Sequence, residues 1–289
     1  MRPRLLVALA ALASLLASAC AVTPSDDADS EESESDLSTF VPPPAYAEGK
    51  LLSDLTPEIV TRLRDIHAAS GFDDHELLKV GDSITFAPEF LGCFATTPVT
   101  GANAELEPTR QWFSARSWSR QSRASKVGWH TWQPYSGSPS PLDGEIADMR
   151  PAFAVVMLGT NDTYEGTQPS YERNLKRLVS ALVDRGIVPV LSTIPPLRNA
   201  TQDAVVPKMN LIVRKVAAAA RVPLMDFHLA LEDVPRHGIS GDGIHPFAAR
   251  TGACDFEGAA MDAGYNQRNL LALRALDRVR RAVLDGADP

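Results

Sequence analysis

The sequence predicts an α/β protein, a three-layer α/β/α sandwich built on a parallel five-stranded sheet. Two observations carry the prediction. From about residue 46 to residue 289, short apolar runs alternate with helical patterns. The runs are apolar throughout rather than at every second residue, which is the pattern of a parallel sheet buried on both faces. Right-handed crossovers then lay helices over the sheet.

The elements follow in order. Thr56-Pro57-Glu58 reads as a helix start, with Thr as cap and Pro at the first helical position, and the helix runs through Ile66 towards Gly71. Residues 77–80 form the first strand, and Gly81-Asp82-Ser83 turns off it. Residues 125–127 form a short second strand ending at Gly128. Residues 153–158 (FAVVML) form the third, again ending at glycine. A helix over 171–184 carries leucines and valines at helical spacing and stops at Gly186. Residues 187–191 are the fourth strand, 207–220 a helix with Pro in its first turn, and 222–227 the fifth strand. Residues 265–284 form a long amphipathic helix. No internal repeat or second globular domain is visible.

The N-terminus reads differently. Arg2 and Arg4 precede an apolar run from Leu5, and Ala17-Ser18-Ala19 closes it, the layout of a signal peptide over residues 1–19. Cys20 follows directly and resembles the lipid-accepting cysteine of a bacterial lipoprotein, although Ala17 stands where Leu is usual. Simple secretion is the alternative. Residues 20–45 hold seven acids between Asp26 and Asp36, then three prolines from Pro42 to Pro44. With no apolar periodicity, this segment is expected to be a disordered acidic, Pro-rich tether. Residues 46–289 are then the folded domain. The expected location is the cell envelope or the exterior, with membrane contact only through the lipid anchor.

Composition excludes several functions. The chain has 28 basic and 36 acidic residues, a formal net charge of -8, so it lacks the basic footprint of a nucleic-acid binder. Three cysteines, with no Cys-x-x-Cys pair, give no structural zinc site. No metal site and no cofactor is expected, and the domain is expected to be monomeric.

Ligands of such sheets sit at the carboxyl ends of the strands. Ser83 follows the first strand, Asn161 the third, and Asp242-Gly243-Ile244-His245-Pro246 lies beyond the fifth. A serine is a weak nucleophile without an adjacent base, and histidine suits that task near neutral pH. An aspartate three positions before the histidine can reach back to its near ring nitrogen and hold the useful tautomer.

Gly81-Asp82-Ser83-Ile84, Gly159-Thr160-Asn161-Asp162 and Asp242-Gly243-Ile244-His245-Pro246, in that order, resemble the blocks of the SGNH, or GDSL-type, hydrolases. The resemblance spans roughly residues 77–247. It implies a flavodoxin-like fold and metal-free hydrolysis of esters. It further implies Ser83 as nucleophile, His245 as base, Asp242 as its orienter, and an oxyanion hole from the Ser83 N–H, the Asn161 amide and a glycine. That glycine is Gly128, or else Gly137. Here the family's Asn- and Gly-rich stretch is replaced by SKVGWHTW.

Asp162 is expected to cap the helix or turn that follows it. His130 could line the pocket. His237 is a poor alternative base, because Val234 stands where an acid would be needed. Trp112, Trp118, Trp129 and Trp132 could line a substrate groove or belong to the core. Cys93 and Cys254 each follow a catalytic block by about ten residues, so a disulfide between them is expected in an oxidising compartment. The expected function is an exported serine esterase acting on short acyl or acetyl esters, small or polysaccharide-borne. The alternatives are a lipase for longer acyl chains, a catalytically dead binding lipoprotein, and a metal-dependent phosphoesterase.

Overall fold

The computed structural model describes residues 45–164 and 166–286. The expected signal peptide, most of the tether and Cys20 lie outside the described residues.

Thr56 caps α1 (Pro57–Ala68) through its hydroxyl, which accepts from the Ile59 N–H. Chain order then gives β1 (Asp73–Gly81), α2 (Ser83–Phe86), α3 (Pro141–Met149), β2 (Pro151–Met157), α4 (Gln168–Val183), β3 (Val188–Ser192), α5 (Val206–Ala220), β4 (Leu224–Met225) and α6 (Gly264–Leu284). Short helical turns fill much of the stretch between α2 and α3.

The four strands run parallel in the order β1-β2-β3-β4. The register pairs Leu77 with Phe153 and Phe153 with Val188. Every residue of β2 is buried, as a central strand covered on both faces requires. The first residues of β1 are partly exposed and its last five are buried, so this strand enters the core only towards its carboxyl end.

The expected fifth strand, residues 125–127, is present as one rung: Ser125 bridges Gly81 in parallel on the free edge of β1. The Gly81 N–H donates to Ala124 O, and the Lys126 N–H to Gly81 O. A turn at 122–125 precedes the rung, and Gly128 leaves it in the left-handed region (φ +76°), so no longer ladder can form. With this rung counted, the strand order is 2-1-3-4-5. The chain leaves β1 for one edge and returns to the other side, and ligands of doubly wound sheets bind at such a reversal.

Helices α4 and α5 pack together over the sheet, and α1 and α6 pack together as the other covering pair. The four tryptophans divide. Trp118 is fully buried against Phe94 and Phe113, and Trp129 is buried. Trp112 is half-buried, and Trp132 is exposed. Cys93 and Cys254 are joined as a disulfide with 5.8 Å between their Cα atoms. No helix among the described residues is long and apolar enough to cross a membrane.

Candidate functional site

The site forms where β1 ends. Strand β1 delivers Gly81, and Asp82 then caps α2 by accepting the Ile84 N–H at 3.0 Å. Ser83 is the first residue of α2, so its own N–H has no intrahelical acceptor. A glycine is required at 81, because a Cβ there would collide with the Thr85 side chain and crowd Met157 O. The turn off the first strand must therefore pass close beneath its own helix.

The histidine arrives on a loop far along the chain. Ser240 N–H donates to His245 O, and Ile239 bridges Pro246, closing residues 239–246 into a tight loop. Within it, Asp242 Oδ1 accepts from the Ser240 hydroxyl at 2.7 Å, the Ile244 N–H at 2.9 Å and the His245 N–H at 3.0 Å. Asp242 Oδ2 lies 2.7 Å from His245 Nδ1, and His245 Nε2 lies 2.8 Å from Ser83 Oγ, 162 residues away in sequence. Partial burial works against ionisation of Asp242. The backbone donors of Ile244 and His245, with Ser240 and His245, outweigh it and hold the carboxyl well below the usual carboxylate range. The group facing Nδ1 is thus an acceptor-only carboxylate, which favours a proton on Nδ1 and a free lone pair on Nε2. Such a chain can take a proton from the serine hydroxyl and return it later.

Asn161 sits on the short turn Thr160–Asp162 beyond β2. The turn starts from Gly159 at φ +131°, where a Cβ would lie 2.8 Å from the Tyr171 hydroxyl. The Tyr171 hydroxyl in turn donates to Leu158 O at 2.8 Å. Asn161 Nδ2 donates to Trp129 O at 3.0 Å. One of the two amide hydrogens is thereby spent on fixing the side chain, and the other remains for a ligand. The same bond ties the Gly128-Trp129 turn to Asn161. Gly128 has open space on its Cβ side, whereas a Cβ at Gly137 would lie 3.6 Å from Pro139 O.

Asp162 departs from expectation. It caps no helix: Oδ2 accepts from the Thr131 N–H at 3.1 Å and the Thr131 hydroxyl at 2.8 Å, and Oδ1 faces His130 Nδ1 at 3.3 Å. It straps the 130–131 segment to the Asn161 turn. That role depends on two loops meeting, which the local sequence does not encode. His130 is held by this strap at the rim, with 42% of its side chain exposed.

The residues that sequence reasoning missed lie on one row of α6. The Tyr265 hydroxyl and the Arg268 guanidinium both donate to Ile84 O, and Arg268 also donates to Thr85 Oγ1. Arg268 is fully buried, with its guanidinium 3.6 Å from the centroid of the Phe90 ring. Asn269 donates to Glu89 O and Ala253 O and accepts from the Leu91 N–H, next to the disulfide. Helix α6 therefore holds the far end of the nucleophile segment. The signal was polar residues on the buried stripe of an amphipathic helix, and it names no partner. Burial pushes the carboxyl of Asp82 up to about 6, against the Ile84 N–H and the Arg268 charge, and burial lowers Arg268 to about 10.

A family model described as the GDSL-like lipase/acylhydrolase family matches residues 80–249, well over half of the chain. The chain belongs to that family. As a GDSL-like acylhydrolase it is an ester hydrolase, and the matched span contains all three blocks around the Ser83–His245 contact. No curated protein matches it. Solved structures similar to it include a putative acylhydrolase from Bacteroides fragilis, at 16% identity over 76% of this chain and 97% of that one, with a TM-score of 0.46. Another is LAE5, an alpha/beta hydrolase enzyme from the metagenome of Lake Arreo, at 19% identity over 74% and 99%, with a TM-score of 0.48. An acetyl-xylooligosaccharide esterase from Geobacillus is similar at 16% identity over 73% and 96%, with a TM-score of 0.47. Among the described residues no group of three or more His, Cys, Asp or Glu side chains could hold a metal ion.

Proposed function

We propose that this GDSL-family hydrolase is an exported serine esterase that cleaves short-chain carboxylic esters through an acyl-enzyme. The observation that carries the reading is the unbroken chain from Ser83 Oγ to His245 Nε2 at 2.8 Å and from His245 Nδ1 to Asp242 Oδ2 at 2.7 Å. Both contacts are within proton-transfer reach.

Ser83 Oγ attacks the ester carbonyl carbon while its proton passes to His245 Nε2. The carbonyl oxygen becomes an oxyanion, bound by the Ser83 N–H, the free Asn161 amide hydrogen and the Gly128 N–H. Collapse of this adduct breaks the ester C–O bond, and the alcohol leaves with the proton from His245. A water then attacks the acyl-serine, His245 takes its proton, and the acid departs as Ser83 recovers its hydrogen. Asp242 keeps the imidazole aimed and stabilises its cation. Each oxyanion donor supplies about 10²–10³ in rate in sites of this kind.

Export is supported by the leader-like residues 1–19 and by the Cys93–Cys254 disulfide, which persists in oxidising compartments. Cys20 is the proposed lipid-accepting residue. The test of the catalytic reading is hydrolysis of p-nitrophenyl acetate. Wild type is expected to turn over and Ser83→Ala to lose at least about 10³-fold in kcat while staying folded. An active Ser83→Ala protein would end the acyl-enzyme proposal, and an inactive wild type would favour a binding module.

A further inference from the structure

An open groove of about 620 Å³, within the size range of small-molecule sites, is lined by residues of the segments that adjoin Ser83 and Asn161, while Ser83, Asn161, Asp242 and His245 themselves do not line it. Three connections tie its wall to the catalytic segments. Phe86, in its wall, lies one turn beyond Ser83 on α2. Ser125 bridges Gly81, two residues before Ser83. Trp129, also in the wall, holds Asn161 through its carbonyl. The apolar residues of its wall are Phe86, the largely buried Trp129, Pro139 and Pro141. Rings of this kind pack on the C–H faces of a sugar.

The charge of the groove runs against that of the molecule. Among the described residues, its charged lining side chains are Arg123 and Lys126, and no carboxylate lines it. Arg123 is 59% exposed and pairs with Asp148 at 2.9 Å. Lys126 is exposed and has no ion-pair partner among the described residues. Residues 108–142 hold Arg110, Arg116, Arg120, Arg123 and Lys126 and not one Asp or Glu, in a chain where acids outnumber bases 36 to 28. An unpaired cation in the wall of a groove joined to the catalytic segments of an acidic protein repels no neutral substrate. It attracts an anionic one.

We propose that the alcohol part of the substrate is an acidic sugar, a uronic acid residue that carries the acyl ester on a ring hydroxyl and presents its carboxylate to Lys126 and Arg123. The proposal rests on Ser83-centred hydrolysis as described above. It makes Lys126 a specificity-determining residue rather than a catalytic one. A carboxylate reaches it in water, so the gain is that of exposed ion pairs, a few-fold for each cation.

The experiment compares methyl glucuronoside with methyl glucoside, each acetylated at the same ring hydroxyl, which differ only at C6, a carboxylate in one and a hydroxymethyl group in the other. p-Nitrophenyl acetate and anionic phospholipid vesicles run alongside. At low salt, wild type is expected to favour the uronoside roughly fivefold or more in kcat/KM, chiefly through KM. In 0.5 M NaCl the ratio should fall towards one. Lys126→Glu should bring it to one or below at low salt, and Lys126→Arg should retain it, with both variants matching wild type in thermal unfolding. A wild-type ratio of one or less, a ratio untouched by Lys126→Glu, or turnover of vesicles in preference to both sugars would overturn the proposal and leave the esterase reading standing. Loss of p-nitrophenyl acetate hydrolysis in wild type would remove both.

Discussion

Replacing Asp242 by Asn tests the hydrogen-bond logic of the site, because the loop dictates how the new side chain must lie. Asp242 Oδ1 accepts three donors, from Ser240 Oγ, Ile244 N and His245 N. In Asp242→Asn only the amide oxygen can keep both backbone bonds, so it takes the Oδ1 position. The NH2 group then occupies the Oδ2 position, 2.7 Å from His245 Nδ1. Facing a donor, Nδ1 must accept, and the ring proton moves to Nε2. Nε2 can no longer take the Ser83 proton, although every heavy atom stays in place. The expected loss is about 10⁴ in kcat, or about 5 kcal/mol of transition-state stabilisation. The assay is steady-state hydrolysis of p-nitrophenyl acetate, with circular dichroism and thermal unfolding as controls for fold. A variant that is as stable as wild type yet keeps more than a tenth of its kcat would refute the tautomer argument.

Three further outcomes are expected. Asn161→Ala should lower kcat by about 10²–10³ with little change in KM, since the amide acts on charge that develops in the transition state; an unchanged kcat in p-nitrophenyl acetate assays would remove Asn161 from the oxyanion hole. Cys93→Ser with Cys254→Ser opens a loop of 161 residues, for which chain entropy sets an upper limit of about 5 kcal/mol. At roughly 2–4 °C per kcal/mol, calorimetry should register a drop of up to about 10–20 °C, and no drop would contradict a formed bond. Asp82 has its folded pKa raised from 3.8 to about 6 by burial, so the native state binds the extra proton. Stability should therefore fall as pH rises from about 4 to about 6 and then level, by about 3 kcal/mol in all. Asp82→Asn keeps the cap and removes the charge, so urea unfolding should show its advantage over wild type growing across that window. A pH-independent gap would show that the carboxylate is compensated.

Some features were legible because they are local. The Asp242–His245 pair is a three-residue offset within one loop, and the buried run of β2 is apolar from end to end. Helix α1 announced itself through Thr56 and Pro57, which satisfy and omit backbone donors at its first turn. Trp118 and Trp132 looked alike in sequence, but Trp118 packs against Phe94 and Phe113 in the core while Trp132 is exposed, a difference that only tertiary packing decides. The second strand is one rung because the chain turns away at Gly128. Asp162 reaches Thr131 rather than a helix end because two loops converge there.

The sequence by itself determined the layered α/β plan, the three motif blocks and the pairing of an acid with its histidine, since each depends on neighbours within a few residues or on a periodic apolar pattern. Only the tertiary structure decided that Ser83 meets His245 across 162 residues, that Trp129 aims Asn161, and that Tyr265, Arg268 and Asn269 grip the nucleophile segment. Contacts of that separation are set by how the sheet and its covering helices close on one another, and a polar residue on a buried helical stripe names its partner only once that closure has happened.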